Sequence, residues 1–439
     1  MTDDRKKLGP VLAMMIVATA MIGSGVFLLP ASLGAVGSIS IFSWVAAMLG
    51  AGLIGGVFCW LAVINPGTQG LFSYIRDAFG PCAGFVTGAV YWAGCLVGMV
   101  AIALAVTGYL SVFVPAVAKP PGTTIATIAI IWLLIGANMV GPHFVARMQS
   151  WILPIGLAPV LLVAIGGWFY FHPAIFAASW NVTGESFLAV VPRTTVVVFW
   201  AFLGIEGAIV ISKRVRNPAR DVPIATLGGL AVAAVVYIAA SAAIMGILPA
   251  AVLAKSSAPF ADAVVPMLGA SVAGVVALCA MIKAAGTLGA TTLATVETAA
   301  CESVLGHMRK APPPQSSHRV STSNLIFTGV LASLVTILSA SPTIARQFTV
   351  VTNVSVVLIV LAYGAASLAL LRLSGALPRE TRMWARALGV AAAMFSVVLI
   401  AVSEADLLIW SVGAVIIALL VFWSARLRQA KPLPNPSEA

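Results

Sequence analysis

Ile22-Gly23-Ser24-Gly25-Val26-Phe27 interrupts an apolar run from about Val11 to Leu33, a run long enough to cross a bilayer. Two glycines around a serine weaken the helix where a span should be strongest. In hydrocarbon, the backbone groups that a break frees are costly unless they face protein or a watery cavity. A break at mid-membrane therefore marks a place where bare N–H and C=O groups meet a ligand. The plainer alternative is a small-residue seam against which a neighbouring helix packs. A second interrupted span, Phe199-Trp200-Ala201-Phe202-Leu203-Gly204-Ile205-Glu206-Gly207, lies in the other half of the chain. Paired broken segments in corresponding places of two halves point to a transport site.

Composition agrees. With 61% hydrophobic and only 8% charged residues, the chain is expected to be an integral membrane protein. Twelve apolar spans can be read, starting near residues 10, 40, 82, 123, 150, 190, 223, 265, 323, 346, 384 and 406. The first has no cleavage-like ending and reads as a retained helix. The net charge of +11 would suggest nucleic acid in a soluble chain. Here the N-terminus and every second loop collect nineteen Lys and Arg against four on the other side, with Lys283 left inside a span. By the positive-inside rule both termini face the cytoplasm, and the charge is topology, not a nucleic-acid site. The cysteines (Cys59, Cys82, Cys95, Cys279, Cys301) have no metal-ligand spacing, so no metal and no cofactor is expected.

Along the chain, residues 1–9 form a cytoplasmic tail. Residues 10–222 hold helices 1–5 and broken helix 6, residues 223–374 helices 7–10, residues 375–427 helices 11 and 12, and residues 428–439 a second tail. A piece through Tyr74, Arg76 and Asp77 is amphipathic and suits the interface. Trp168, Phe169, Tyr170, Phe171 and Trp180 form an aromatic belt on the outer side. Asn181-Val182-Thr183 matches a glycosylation sequon there, which as a single triplet is weak evidence. Lys310 to Thr322, with three successive prolines, is the most linker-like stretch.

Ile22 to Pro30, Trp200 to Glu206 and Asn217-Pro218-Ala219-Arg220-Asp221-Val222-Pro223-Ile224-Ala225-Thr226 carry a resemblance to the amino acid–polyamine–organocation superfamily. Within it the chain is most similar to the basic amino acid and polyamine antiporters, over roughly residues 8 to 425. The resemblance implies an all-α membrane fold in which helices 1–5 and 6–10 form inverted repeats, with helices 1 and 6 broken at mid-membrane, and often a homodimer. It puts a substrate's α-carboxylate on backbone amides around Ser24 and Gly25, and its α-amino group on carbonyls near Ile22 and Ile205. Half-helix termini suit both charges. Trp200 matches the aromatic that covers bound substrate; Tyr91, Glu206 and Tyr363 match an outer gate. Gly94 and Cys95 match the side-chain pocket and Ser355 a polar position on helix 10. Trp200 and Tyr91 could instead be packing aromatics. Glu206 is functional by default, because an intramembrane carboxylate is costly, and it is a candidate pH-responsive group.

Departures bear on substrate. Ala20 stands where basic-substrate exchangers have an asparagine, and Met99, Thr291 and Ile359 stand where the arginine exchanger has an asparagine, a tryptophan and a threonine. Arginine–agmatine exchange is therefore not implied. Lys283 lies on helix 8 on one face with Thr287 and Thr291. Sodium-coupled relatives of the fold bind a cation between helices 1 and 8, and a tethered ammonium could stand in for it. The alternative is a lysine that snorkels or pairs structurally with a carboxylate. Its charge opposes a dicationic substrate nearby, which favours zwitterionic amino acids or monoamines.

The expected function is secondary active transport of amino acids or amines in the bacterial inner membrane. Exchange is favoured; proton-coupled uptake with Lys283 as the coupling group is the nearest rival, and a non-transporting sensor is a further one. An enzyme is not expected, because neither a nucleophile–base constellation nor a phosphate-binding loop is legible. The expected partners are a small-molecule substrate, the lipid bilayer and a second copy of the chain.

Overall fold

The computed structural model describes residues 9–23, 25–65, 70–141, 152, 155–207, 215, 217–300 and 321–429. Among them the structure is helix and turn, without a β-strand. The helices are α1 (Pro10–Met21), α2 (Gly25–Gly34), α3 (Ile41–Ile64), α4 (Leu71–Phe79), α5 (Pro81–Leu110) and α6 (Gly122–Val140). Next come α7 (Ile155–Tyr170), which tightens and widens along its length, α8 (Pro173–Ala178) and α9 (Phe187–Phe199). Then follow α10 (Pro218–Ile247), α11 (Ala250–Leu253), α12 (Pro259–Leu268) and α13 (Ala270–Ala300). The chain closes with α14 (Thr322–Leu338), α15 (Ile344–Leu373), α16 (Arg379–Ala401) and α17 (Ala405–Gln429).

Among the described residues, seven helices are long and apolar enough to cross a membrane: those of Ser38–Ile64, Pro81–Leu110, Gly122–Val140, Ala219–Ile247, Ala270–Thr298, Ile344–Ala376 and Arg379–Ala401. The other apolar helices are shorter. For α1 and α2 the reason is the break itself, which leaves two short helices in place of one long one. Side chains such as Leu133, Phe169, Leu188, Leu338 and Trp384 are exposed, as expected where lipid is the solvent.

The centre of the molecule is α5, which packs most closely on α15 and α13, while α1 lies along α10. Small residues make these approaches possible, because lipid gives helices no hydrophobic reason to associate and packing must do it. A Cβ at Gly94 of α5 would lie 2.7 Å from Ile359 Cγ1 and 3.2 Å from the Ser355 carbonyl, so only glycine admits α15 this closely. At Gly50 of α3 the place of a Cβ is filled by the Phe395 ring of α16, with Cζ 1.9 Å away. Gly50→Ala is therefore expected to cost about 1–3 kcal/mol of stability. A lowered thermal midpoint in detergent, restored by adding Phe395→Leu, would check it.

α4 buries Leu71, Tyr74, Ile75 and Ala78 and leaves Arg76 and Asp77 exposed 3.5 Å apart, so the piece is amphipathic as expected. Trp168, Phe169, Tyr170 and Trp180 are all more than a third exposed, as a belt requires. The sequon loop is ordered by its own side chains: Thr183 donates to Asn181 Oδ1 (2.8 Å) and Asn181 Nδ2 to the Glu185 carbonyl (2.9 Å). Cys301 and the proline-rich connector over 310–320 lie outside the described residues.

Candidate functional site

The first break follows from its residues. α1 stops at Met21; the Ile22 N–H returns to the Ala18 carbonyl (2.9 Å) and the Gly23 N–H to the Met21 carbonyl (2.6 Å). Ile22, at φ −70° and ψ 67°, leaves the helical region, and the helix restarts at Gly25. Ser24 lies outside the described residues. Two tyrosines from other helices bracket the gap. Tyr237 of α10 donates to the Met21 carbonyl (2.5 Å), and Tyr109 of α5 donates to the Phe27 carbonyl (3.0 Å) while accepting the Phe260 N–H (3.4 Å). Each half-helix is thus fixed to a different support, and the first amides of α2 have no carbonyl one turn earlier in their own helix.

The second break begins where α9 ends. Trp200–Phe202 tighten into a 3₁₀ turn, Leu203 is extended, and Gly204 sits at φ +100°, which favours glycine. Ile205 is fully buried and the Gly207 N–H closes onto the Gly204 carbonyl (3.0 Å). Residues 208–214 lie outside the described residues. The Trp200 side chain reaches from this break to the other. Its Nε1 lies 2.8 Å from where a Cβ on Gly25 would be, and its Cη2 3.0 Å from the same place on Gly98 of α5. Phe348 of α15 meets the indole edge-on. The two breaks therefore meet where the Trp200 indole reaches Gly25, with its far edge against Gly98 of α5.

Glu206 joins three elements. Tyr91 of α5 donates to its Oε1 (2.6 Å) and Tyr363 of α15 donates to its Oε2. Tyr91 is seven residues before Gly98, and Tyr363 eight after Ser355, whose Oγ is 3.1 Å from the Cβ place on Gly98. At the helical rise the trio sits roughly 10–12 Å along the helices from the Trp200 layer. The direction is towards α4, whose Phe72 ring packs on Tyr91 at 5.3 Å. α4 belongs to the face at which α1 begins. The trio therefore lies on the N-terminal side of Trp200, because Tyr91 comes early in an α5 that starts from that face.

Of the other expected residues, Ser355 donates to the Gly94 carbonyl (2.7 Å), and Cys95 lies beside Tyr91. Ala20 is helical within α1. Thr291 is half-buried on α13. Lys283 is 4% exposed, which argues against snorkelling, and its aliphatic stem lies on Gly156 of α7, where a Cβ would be 2.2 Å from the lysine's own. Thr287 donates to the Lys283 carbonyl (3.0 Å), so the two do share a face. Among the described residues the ion pairs are Arg76–Asp77 and Arg193–Glu185, neither involving Lys283. Sequence reasoning missed Tyr109 and Tyr237. Their signal was a phenol inside an apolar span, which needs a hydrogen-bond partner.

A family model described as amino acid permease matches residues 8–423. The chain is 33% identical over 375 residues to the cadaverine/lysine antiporter of Escherichia coli K12, covering 84% of each protein. It is 30% identical over 357 residues to the putrescine transporter PotE of the same organism, covering 81% of each. With PotE of Haemophilus influenzae Rd it shares 28% identity over 365 residues, 83% of each. The chain belongs to the amino acid permease family of the amino acid–polyamine–organocation superfamily; it is an integral membrane transporter and not an enzyme.

Proposed function

We propose that this amino acid permease exchanges amino acids and their amine derivatives across a bacterial inner membrane by alternating access, with substrate at the two breaks. The observation that carries the reading is the approach of Trp200 to Gly25, which joins the breaks into one place. A substrate carboxylate suits the amides around Ser24 and Gly25, and an ammonium suits carbonyls near Ile22 and Ile205. Trp200 covers the substrate, and the Glu206 trio closes the path on the N-terminal side. Twelve crossings follow if α1 with α2 counts as one span and α9 with the chain after it as another. Both termini are then cytoplasmic, the two repeats are helices 1–5 and 6–10, and a homodimer is the family's frequent assembly. The relatives named for cadaverine, lysine and putrescine favour an amino acid–amine pair. Ile359 against Gly94 and the charge of Lys283 favour a substrate less basic than arginine.

Proteoliposomes loaded with one compound and given another, labelled, test this. Labelled uptake is expected only with internal substrate and is expected to vanish in Gly25→Val, whose side chain meets the indole. Uptake into empty vesicles driven by a proton gradient would sink exchange. It would favour the second reading, proton-coupled uptake through Lys283, which its burial supports, with no ion pair to it among the described residues.

A further inference from the structure

Trp200 Nε1 is buried and, among the described residues, has no hydrogen-bond acceptor. A buried N–H without an acceptor is rare and costly. Trp44 and Trp92 have the same orphan, but Trp44 lies in an aromatic nest with Phe202 and Tyr237, and Trp92 stacks on Phe327. Only the Trp200 pyrrole edge turns to a helix start: Nε1 and Cδ1 are the atoms nearest the Cβ place on Gly25, at 2.8 and 3.0 Å. The residue is 9% exposed, and its benzo edge is held by Gly98. The indole is thus fixed with its N–H beside the first amides of a ten-residue helix that have no partner within it.

An indole N–H only donates. So do the amides beside it. Donors converging without an acceptor fit an anionic or carbonyl oxygen and repel an ammonium, which has donors alone. We propose that the Trp200 indole N–H donates a hydrogen bond to the carboxylate of a bound amino acid, and so sets the preference for an amino acid over its decarboxylated amine. This rests on the reading that substrate sits at the breaks, and adds a role for the tryptophan beyond covering it. The ring face packs on either compound; the N–H serves only the one that keeps its carboxylate. In an exchanger of such a pair, this donor acts with the amides of α2 to separate the two affinities.

The test replaces the N–H and keeps the ring. Benzothienylalanine introduced at position 200 puts sulfur where the N–H was, and Trp200→Phe is the simpler companion. Half-saturation is measured for lysine and cadaverine, and for leucine and 3-methylbutylamine, in exchange proteoliposomes. Both variants are expected to weaken the amino acid about tenfold more than its amine. Equal weakening of acid and amine, or none in the sulfur analogue, would overturn the inference while leaving the site reading intact. Wild-type protein that transports neither pair, or whose flux survives Gly25→Val, would remove the site reading and the inference with it.

Discussion

Glu206→Ala is expected to slow saturated exchange by roughly a hundredfold and to open Cys95 to thiol reagents from the N-terminal side. Glu206 accepts from Tyr91 and Tyr363, so its loss leaves two phenols without their acceptor. Each unmade bond of this kind costs about 1–3 kcal/mol. The bonds join α5, α15 and the turn after α9; in the proposed exchange cycle they belong to a conformer closed on that side, and the cost falls on that conformer. A loss near 3 kcal/mol makes it about a hundredfold rarer, and a cycle that must pass through it slows accordingly. Tyr91→Phe and Tyr363→Phe should each give a smaller loss, and together less than the product, because they share one carboxylate. Cys95 beside Tyr91 is a native reporter. A variant with a higher half-saturation but unchanged labelling would make Glu206 a substrate contact instead of a latch.

The breaks were legible because glycine inside an apolar run has few structural uses. Lys283 was legible because a charge in hydrocarbon has none that is cheap. The sequence also held what was needed to place the Glu206 trio: Tyr91 is only ten residues into a helix that begins at Pro81. Matching residues to a family's gate does not say on which side of Trp200 they lie; counting along the helix does. Other features were not recoverable. That the phenol reaching Met21 comes from α10 depends on how helices cross, as does the meeting of Trp200 with Gly25 and of Lys283 with Gly156. Periodicity says which face of a helix is covered and not by what.

Lys283→Met is expected to abolish proton-driven accumulation while retaining exchange in the absence of a gradient, if the lysine couples transport to protons. Methionine keeps an unbranched stem over Gly156 and removes the charge, so packing and coupling separate. If the buried charge serves only structure, methionine should instead be neutral or stabilising, since an unpaired buried cation costs several kcal/mol. Lys283→Ala is a poorer probe, because it also empties the space over Gly156. That space gives a second and independent test. Gly156→Ala should damage the wild type, where its Cβ would fall 2.2 Å from the Lys283 Cβ and 2.5 Å from Cδ. In a Lys283→Gly background the obstruction is gone, and Gly156→Ala should be tolerated. Rescue of folding there without rescue of proton-driven flux would show that α7 and α13 meet as described and that the ammonium, not the contact, carries the coupling. Damage that persists in the double variant would mean that Gly156 serves another neighbour, and the close passage of the lysine stem would cease to explain it.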